Sequence, residues 1–234
     1  MTHHLRVTIE VGPKGKQVVA VAKGKLKAEI RKMKAQRFSV VQQCSFQLSA
    51  FCFLFSLAPV AALAGMASAF AATSAVDVVE QYPGVGSTDF WGISFAFSSI
   101  DQQAMPDEAL ARELTLLQAC WAFFDAVRSR VSAELQRGPR GGGRDRDQIV
   151  RHTLAAELDW AKKLGVHTPL DALLTDVGLR THRDAYCDAI RALHAQGKLA
   201  RTWPLRYLIR HTAFHTLDHA WEMEDKDLTS IVGV

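Results

Sequence analysis

Residues 210–222 read RHTAFHTLDHAWE. His211, His215 and His219 recur every four residues, and each step of four advances about 40° around an α-helix, so the three imidazoles share one stripe. The helix carrying them starts at Trp203-Pro204, with proline in the favoured first turn, and runs to about Asp227. Working back along the chain, a third helix is expected from about Asp171 to Gln196, stopping at Gly197, with Gly178 as an interruption. A second covers about Asp147 to Leu164 and ends at Gly165. A first starts at Pro106-Asp107-Glu108, with acidic residues at the positive end of the helix dipole. Leu110, Leu114, Leu117, Trp121, Phe124 and Val131 continue it at helical spacing to about Leu135. Four amphipathic helices joined by short loops predict a mainly α fold, a four-helix bundle over residues 105–234.

Residues 1–104 read differently, as a small α+β region. Leu5, Val7, Ile9 and Val11 alternate with polar residues, and Gly12-Pro13-Lys14-Gly15 supplies a turn before a second β-branched run, which predicts a hairpin. Val76, Val78 and Val79 suggest a strand, and Phe90 to Phe97 another. The hairpin faintly resembles the start of a HicB-like α+β module. Such modules continue with an amphipathic helix, whereas here a basic stretch (23–37) and an uncharged one (38–76) follow. That abrupt change suggests an aberrant reading over about residues 23–57. The run Ser49 to Ala72 is long enough to span a bilayer. Pro59 and several Ser, Gly and Gln residues dilute it, and a buried helix around Pro59–Ala72 is the preferred reading, with a membrane anchor through residues 49–72 as the alternative.

The net charge of +4 is unevenly placed. Residues 1–37 hold ten Lys/Arg against two Asp/Glu, residues 38–104 hold four Asp/Glu and no Lys/Arg, and residues 105–234 hold eighteen of each. A nucleic-acid-binding domain concentrates basic charge on its folded surface, and the neutral bundle argues against such a partner. Cys44, Cys52, Cys120 and Cys187 form no CxxC pair, so the thiols suggest neither a zinc knuckle nor a disulfide scaffold, and a cytoplasmic setting is expected.

Two imidazoles one turn apart can chelate a divalent ion through nitrogens at roughly 2.0–2.1 Å. A third ligand must come from another element, and His152 in IVRHTLAAELDW on the second helix is the best candidate. The rival reading of the stripe is a pH-sensitive polar seam. Asp218 and Glu222 flank the stripe and could either bond a ligand imidazole or form surface ion pairs. Glu157, just over a turn past His152, could support the ion's surroundings or cap a polar seam. His167, His182 and His194 read as ordinary structural residues, and Cys120 and Cys187 as buried thiols. Gly138 to Gly143 with Arg137, Arg140, Arg144 and Arg146 reads as a solvated loop, with phosphate or carboxylate binding as the alternative.

His152 followed by Ala155-Ala156-Glu157 on a second helix, with HTAFHTLDH on a fourth, resembles the DinB-like superfamily of metal-binding four-helix bundles. The resemblance covers about residues 105–227, and the family's frequent His-x-Gly-Gln ending is replaced by His219-Ala220-Trp221. It implies a metal triad of His152, His215 and His219, with His211 orienting a ligand. It further implies a divalent ion (Zn, Ni, Mn or Fe), a low-molecular-weight thiol such as mycothiol, bacillithiol or glutathione, and a small-molecule substrate. The corresponding activity is thiol-dependent group transfer or isomerisation, or metal-assisted hydrolysis. A homodimer is a further expectation, and a non-catalytic ligand-binding bundle the rival one.

Overall fold

The structure, a computed structural model, describes residues 3–11, 17–19, 57–67, 73–83, 97–138 and 141–229. The alternating N-terminal segment forms β1 (His3–Val11), which pairs antiparallel with β2 (Gln17–Val19), as the hairpin reading requires. The valine-rich segment forms β3 (Thr73–Pro83) on the other edge of β1 and parallel to it, giving the order β2-β1-β3. A parallel neighbour is reached only through a crossover connection. Residues 57–63 of that connection are helical. Val60 and Ala61 are buried and Leu57 and Ala64 pack on the bundle, while Leu63 is 54% exposed. The helix expected over Pro59–Ala72 is therefore shorter and amphipathic, because the chain leaves it at residue 64 and is already strand at Thr73. Among the described residues, no helix is long and apolar enough to cross a membrane. The basic stretch 23–37, the uncharged residues before 57 and most of the strand expected at Phe90 to Phe97 lie outside the described residues.

A short helix α1 (Ser99–Gln102) leads into the bundle, closed by a Ser98/Asp101 capping box. Asp101 is buried and accepts from Arg210 Nη1 at 2.7 Å, while Glu80 of β3 accepts from the Ser99 amide. This charged joint ties the third strand to the last helix of the chain.

The remaining chain is mainly α, as its periodicity predicts. The long helices are α2 (Asp107–Arg130), α3 (Arg146–Ala161), α5 (Asp176–Ala195) and α6 (Leu205–Asp225), with a single turn α4 (Leu170–Leu173) before α5. Two core layers stack along the bundle. One joins Phe123, Phe124 and Val127 to Ile149, Leu154, Leu217 and Trp221. The other joins Leu110, Leu114 and Leu117 to Tyr186, Ile190, Leu205 and Leu208. Burying such side chains is worth roughly 1.5–3 kcal/mol each, which is what holds helices of weak individual stability together. Asp145 and Gln148 form a capping box that starts α3 immediately after the glycine-rich break.

Helix ends show where the sequence pattern misleads. Gly165, at φ +80°, ends the second helix where expected. The third helix is interrupted at Leu174-Thr175 rather than at Gly178, which lies inside the first turn of α5. Thr175 caps that turn by accepting from the Gly178 amide at 3.1 Å. A Cβ on Gly178 would sit 2.1 Å from the Ala172 carbonyl oxygen. The glycine is there to let α4 and α5 meet. Gly178→Ala is expected to destabilise the fold by about 1–3 kcal/mol, as overpacking against rigid backbone does. A lowered denaturant midpoint would show it, and an unchanged midpoint would contradict the close junction.

Candidate metal centre

His152 projects from α3, and His215 and His219 from successive turns of α6. One ligand nitrogen from each lies within 4.8 Å of the others. His219 Nε2 and His215 Nε2 are 3.2 Å apart. Two ligands on a tetrahedral ion with bonds near 2.05 Å are separated by about 3.3 Å, so this pair already has the spacing that chelation needs. The His152 ring centroid is 4.9 Å from that of His219 and 5.3 Å from that of His215.

The surroundings set the state of each ring. His219 Nδ1 donates to Glu222 Oε2 at 2.8 Å, which leaves the Nε2 lone pair facing the other histidines. Glu222 also accepts from Arg144 Nη2 at 2.9 Å and Lys226 Nζ at 2.6 Å. Burial pushes the Glu222 carboxyl up, but these hydrogen bonds and the two cations more than offset it, so it stays an anion well below the usual carboxylate range. His215 is held by ring packing against Trp160 at 5.0 Å, and its Nδ1 is without a hydrogen-bond partner. Burial first, and the neighbouring histidines second, push the His215 imidazolium well down; His152 is lowered for the same reasons. These two rings are therefore neutral at pH 7, the form that ligates a metal. The three imidazoles together could hold a divalent ion, and the donor set alone does not select which.

His211, one turn earlier on the stripe, stands in an aromatic enclosure instead. Its ring is 4.8 Å from Trp160, 5.4 Å from Trp203 and stacked on Tyr207 at 5.2 Å. Burial and the charge of Lys163 push its pKa down to about 4. Trp160 touches both His211 and His215, so the two rings are linked through the indole rather than by a hydrogen bond. Asp218 lies half-buried between the two α6 ligands in sequence, and it is Glu222 that bonds His219.

Glu157 points into a different part of the bundle. Its Oε1 accepts from Arg183 Nε at 3.2 Å, and His182 Nε2 is 3.7 Å away. Arg183 also donates to Asp125 at 2.7 Å and lies over the Trp121 ring. Burial raises the Glu157 carboxyl, against the pull of Arg183 and Trp121. No spacing rule announces this cluster, since its members come from three helices and each looks like a surface residue in isolation. His182 is fully buried, donates or accepts at Thr168 Oγ1, and burial together with Arg183 pushes its pKa down to about 4. An unfolded histidine titrates near 6.5, so the unfolded chain binds the extra proton between about pH 6.5 and 4. Stability is expected to fall as pH drops through that window, and a His182→Gln chain should show a flatter dependence of its melting temperature. Equal slopes would contradict the assignment.

The thiols of Cys120 and Cys187 are buried, and burial pushes them up to about 12 and about 11, so neither is a nucleophile at neutral pH. The loop arginines mostly serve the protein itself: Arg137 donates to the Gly143 carbonyl, Arg146 to Asp147 and Arg144 to Glu222. Arg140 lies outside the described residues.

Fold and site together define a mainly α bundle with a three-histidine cluster suited to a divalent ion. No protein-family model, curated protein or solved structure matches the chain.

Proposed function

We propose that His152, His215 and His219 bind one divalent metal ion, and that the protein is a metal-dependent enzyme of the DinB-like kind, acting by thiol-dependent group transfer or metal-assisted hydrolysis on a small molecule. The observation that carries this reading is the convergence of three imidazoles from two helices, their ligand nitrogens within 4.8 Å of one another, with one ring fixed from behind by a carboxylate. An ion held by three imidazole nitrogens would supply Lewis acidity and make a water or thiol nucleophilic at neutral pH. The chain's own groups prepare the place. Glu222 fixes the tautomer of His219, Arg144 and Lys226 keep Glu222 ionised, and Trp160 covers the His215 and His211 side. The buried cysteines make an external thiol the fitting nucleophile in the transfer reading.

Glu222→Gln is expected to weaken metal affinity about 10–100-fold, as loss of the group behind a ligating histidine does. Competition with a chromophoric chelator measures it, and an unchanged affinity would remove Glu222 from the site. The enzyme reading is tested by assaying the zinc-, manganese- or nickel-loaded protein with glutathione and small electrophiles, and with ester substrates. Turnover that a chelator abolishes supports it. A stoichiometric ion with no turnover on any of these would leave a metal-binding bundle that is not this enzyme.

A further inference from the structure

The buried and half-buried cations of the bundle have carboxylate partners almost throughout. Arg183 has Glu157, and Arg144 and Lys226 share Glu222. Lys163, in the turn that follows α3, is the exception among the described residues: it is half-buried and forms no ion pair. Its neighbour Lys162 is occupied by Asp159 at 2.7 Å. Lys163 Nζ instead lies 4.2 Å from the centroid of the Trp203 ring. An indole face attracts an ammonium but takes up none of its three N–H donors in a directed bond, so the group stays ready to receive an anion.

A row of rings leads from this lysine to the histidine cluster. Trp203 is 5.4 Å from His211, His211 is 4.8 Å from Trp160, and Trp160 is 5.0 Å from His215. His211 precedes His215 by one helical turn, about 6 Å along the axis. Trp203 and Trp160 are both partly exposed, and His152 at the far end is exposed, so the row is open to solvent along its length. Arg144, the cation on the other side of the cluster, is already engaged by Glu222 at 2.9 Å. The order of groups is therefore an uncommitted ammonium, a flat apolar surface and a set of chelating nitrogens. A molecule that matches it carries an acidic group at one end, a flat body and a metal-binding group at the other.

We propose that the small molecule acted on at the histidine cluster is a flat organic anion, its carboxylate held by Lys163 Nζ, its body lying along Trp203 and Trp160, and its reactive end at the metal. This names the substrate class of the metal centre proposed above and rests on that reading. Isothermal titration of the zinc-loaded full chain with two hydroxamates tests it. Benzohydroxamate binds zinc and has no acidic group at its far end, whereas 4-carboxybenzohydroxamate adds a carboxylate there. The carboxylated probe is expected to bind about tenfold tighter or more, as a charge-assisted hydrogen bond gives. Lys163→Met should abolish that preference while leaving the zinc content, the affinity for benzohydroxamate and the melting temperature unchanged. A parent chain that holds no zinc would overturn the metal centre and this proposal with it. A chain that holds zinc and binds benzohydroxamate, but shows no preference for the carboxylated probe, would overturn the anion site alone. So would a preference that survives in Lys163→Met, or a Lys163→Met chain that loses both probes alike.

Discussion

His215→Ala is expected to abolish stoichiometric binding of a divalent ion while leaving the helical fold in place. His215 is central to the cluster: its ring lies 4.4 Å from that of His219 and 5.3 Å from that of His152, and its Nε2 is already at chelating distance from His219 Nε2. Removing it leaves two nitrogens from different helices and breaks the one-turn pair on α6. The loss should exceed the 10–100-fold expected when only the partner behind a ligand is removed. The fold should survive, because the two core layers are built from other residues of α6, Leu205 and Leu208 in one and Leu217 and Trp221 in the other. Metal analysis after gel filtration, alongside circular dichroism, separates the two effects. A variant that keeps one ion per chain would remove His215 from the site.

The second large effect concerns stability rather than metal. Glu157→Ala should destabilise the protein by about 3–5 kcal/mol, because it strips the buried Arg183 guanidinium of one of its two carboxylate partners. Asp125 remains, but it is one-third exposed and shared with Arg128, so it compensates only partly. Replacing both Glu157 and Arg183 by apolar residues of similar volume should cost much less than the single change, since desolvation of both charges then disappears. Denaturant unfolding of the single and double variants measures this. A Glu157→Ala loss below about 1 kcal/mol would mean that the pair behaves as a surface bridge.

These two residues also show what was legible in the sequence. The histidine stripe could be read because helical spacing alone places His215 and His219 together, and the neighbouring-helix argument reached His152. The helices themselves were legible where apolar residues recur with the helical period, as at Leu110, Leu114, Leu117, Trp121 and Phe124, all buried. Spacing could not tell that His211, on the same stripe, is enclosed by Trp160 of α3 and Trp203 of the preceding loop, which join Tyr207 one turn back on its own helix. Spacing sets Glu157 about 140° around the helix from His152 but does not say what it meets there. They share a helix, but Glu157 turns to Arg183 across the bundle. Gly178 reads as a helix breaker by propensity, yet it sits inside a helical turn because the Ala172 carbonyl leaves no room for a side chain. For His211 and Glu157 the deciding partners, Trp160 and Arg183, come from other helices, and for Gly178 the deciding atom belongs to the preceding helical turn.

X-ray absorption at the metal edge of the zinc-loaded chain shows whether His152, His215 and His219 converge on one ion. One zinc per chain is expected, surrounded by three imidazole nitrogens at about 2.0–2.1 Å, reduced in number in His152→Ala. An aqua-ion spectrum without imidazole scattering, or a first shell unaffected by His152→Ala, would contradict it.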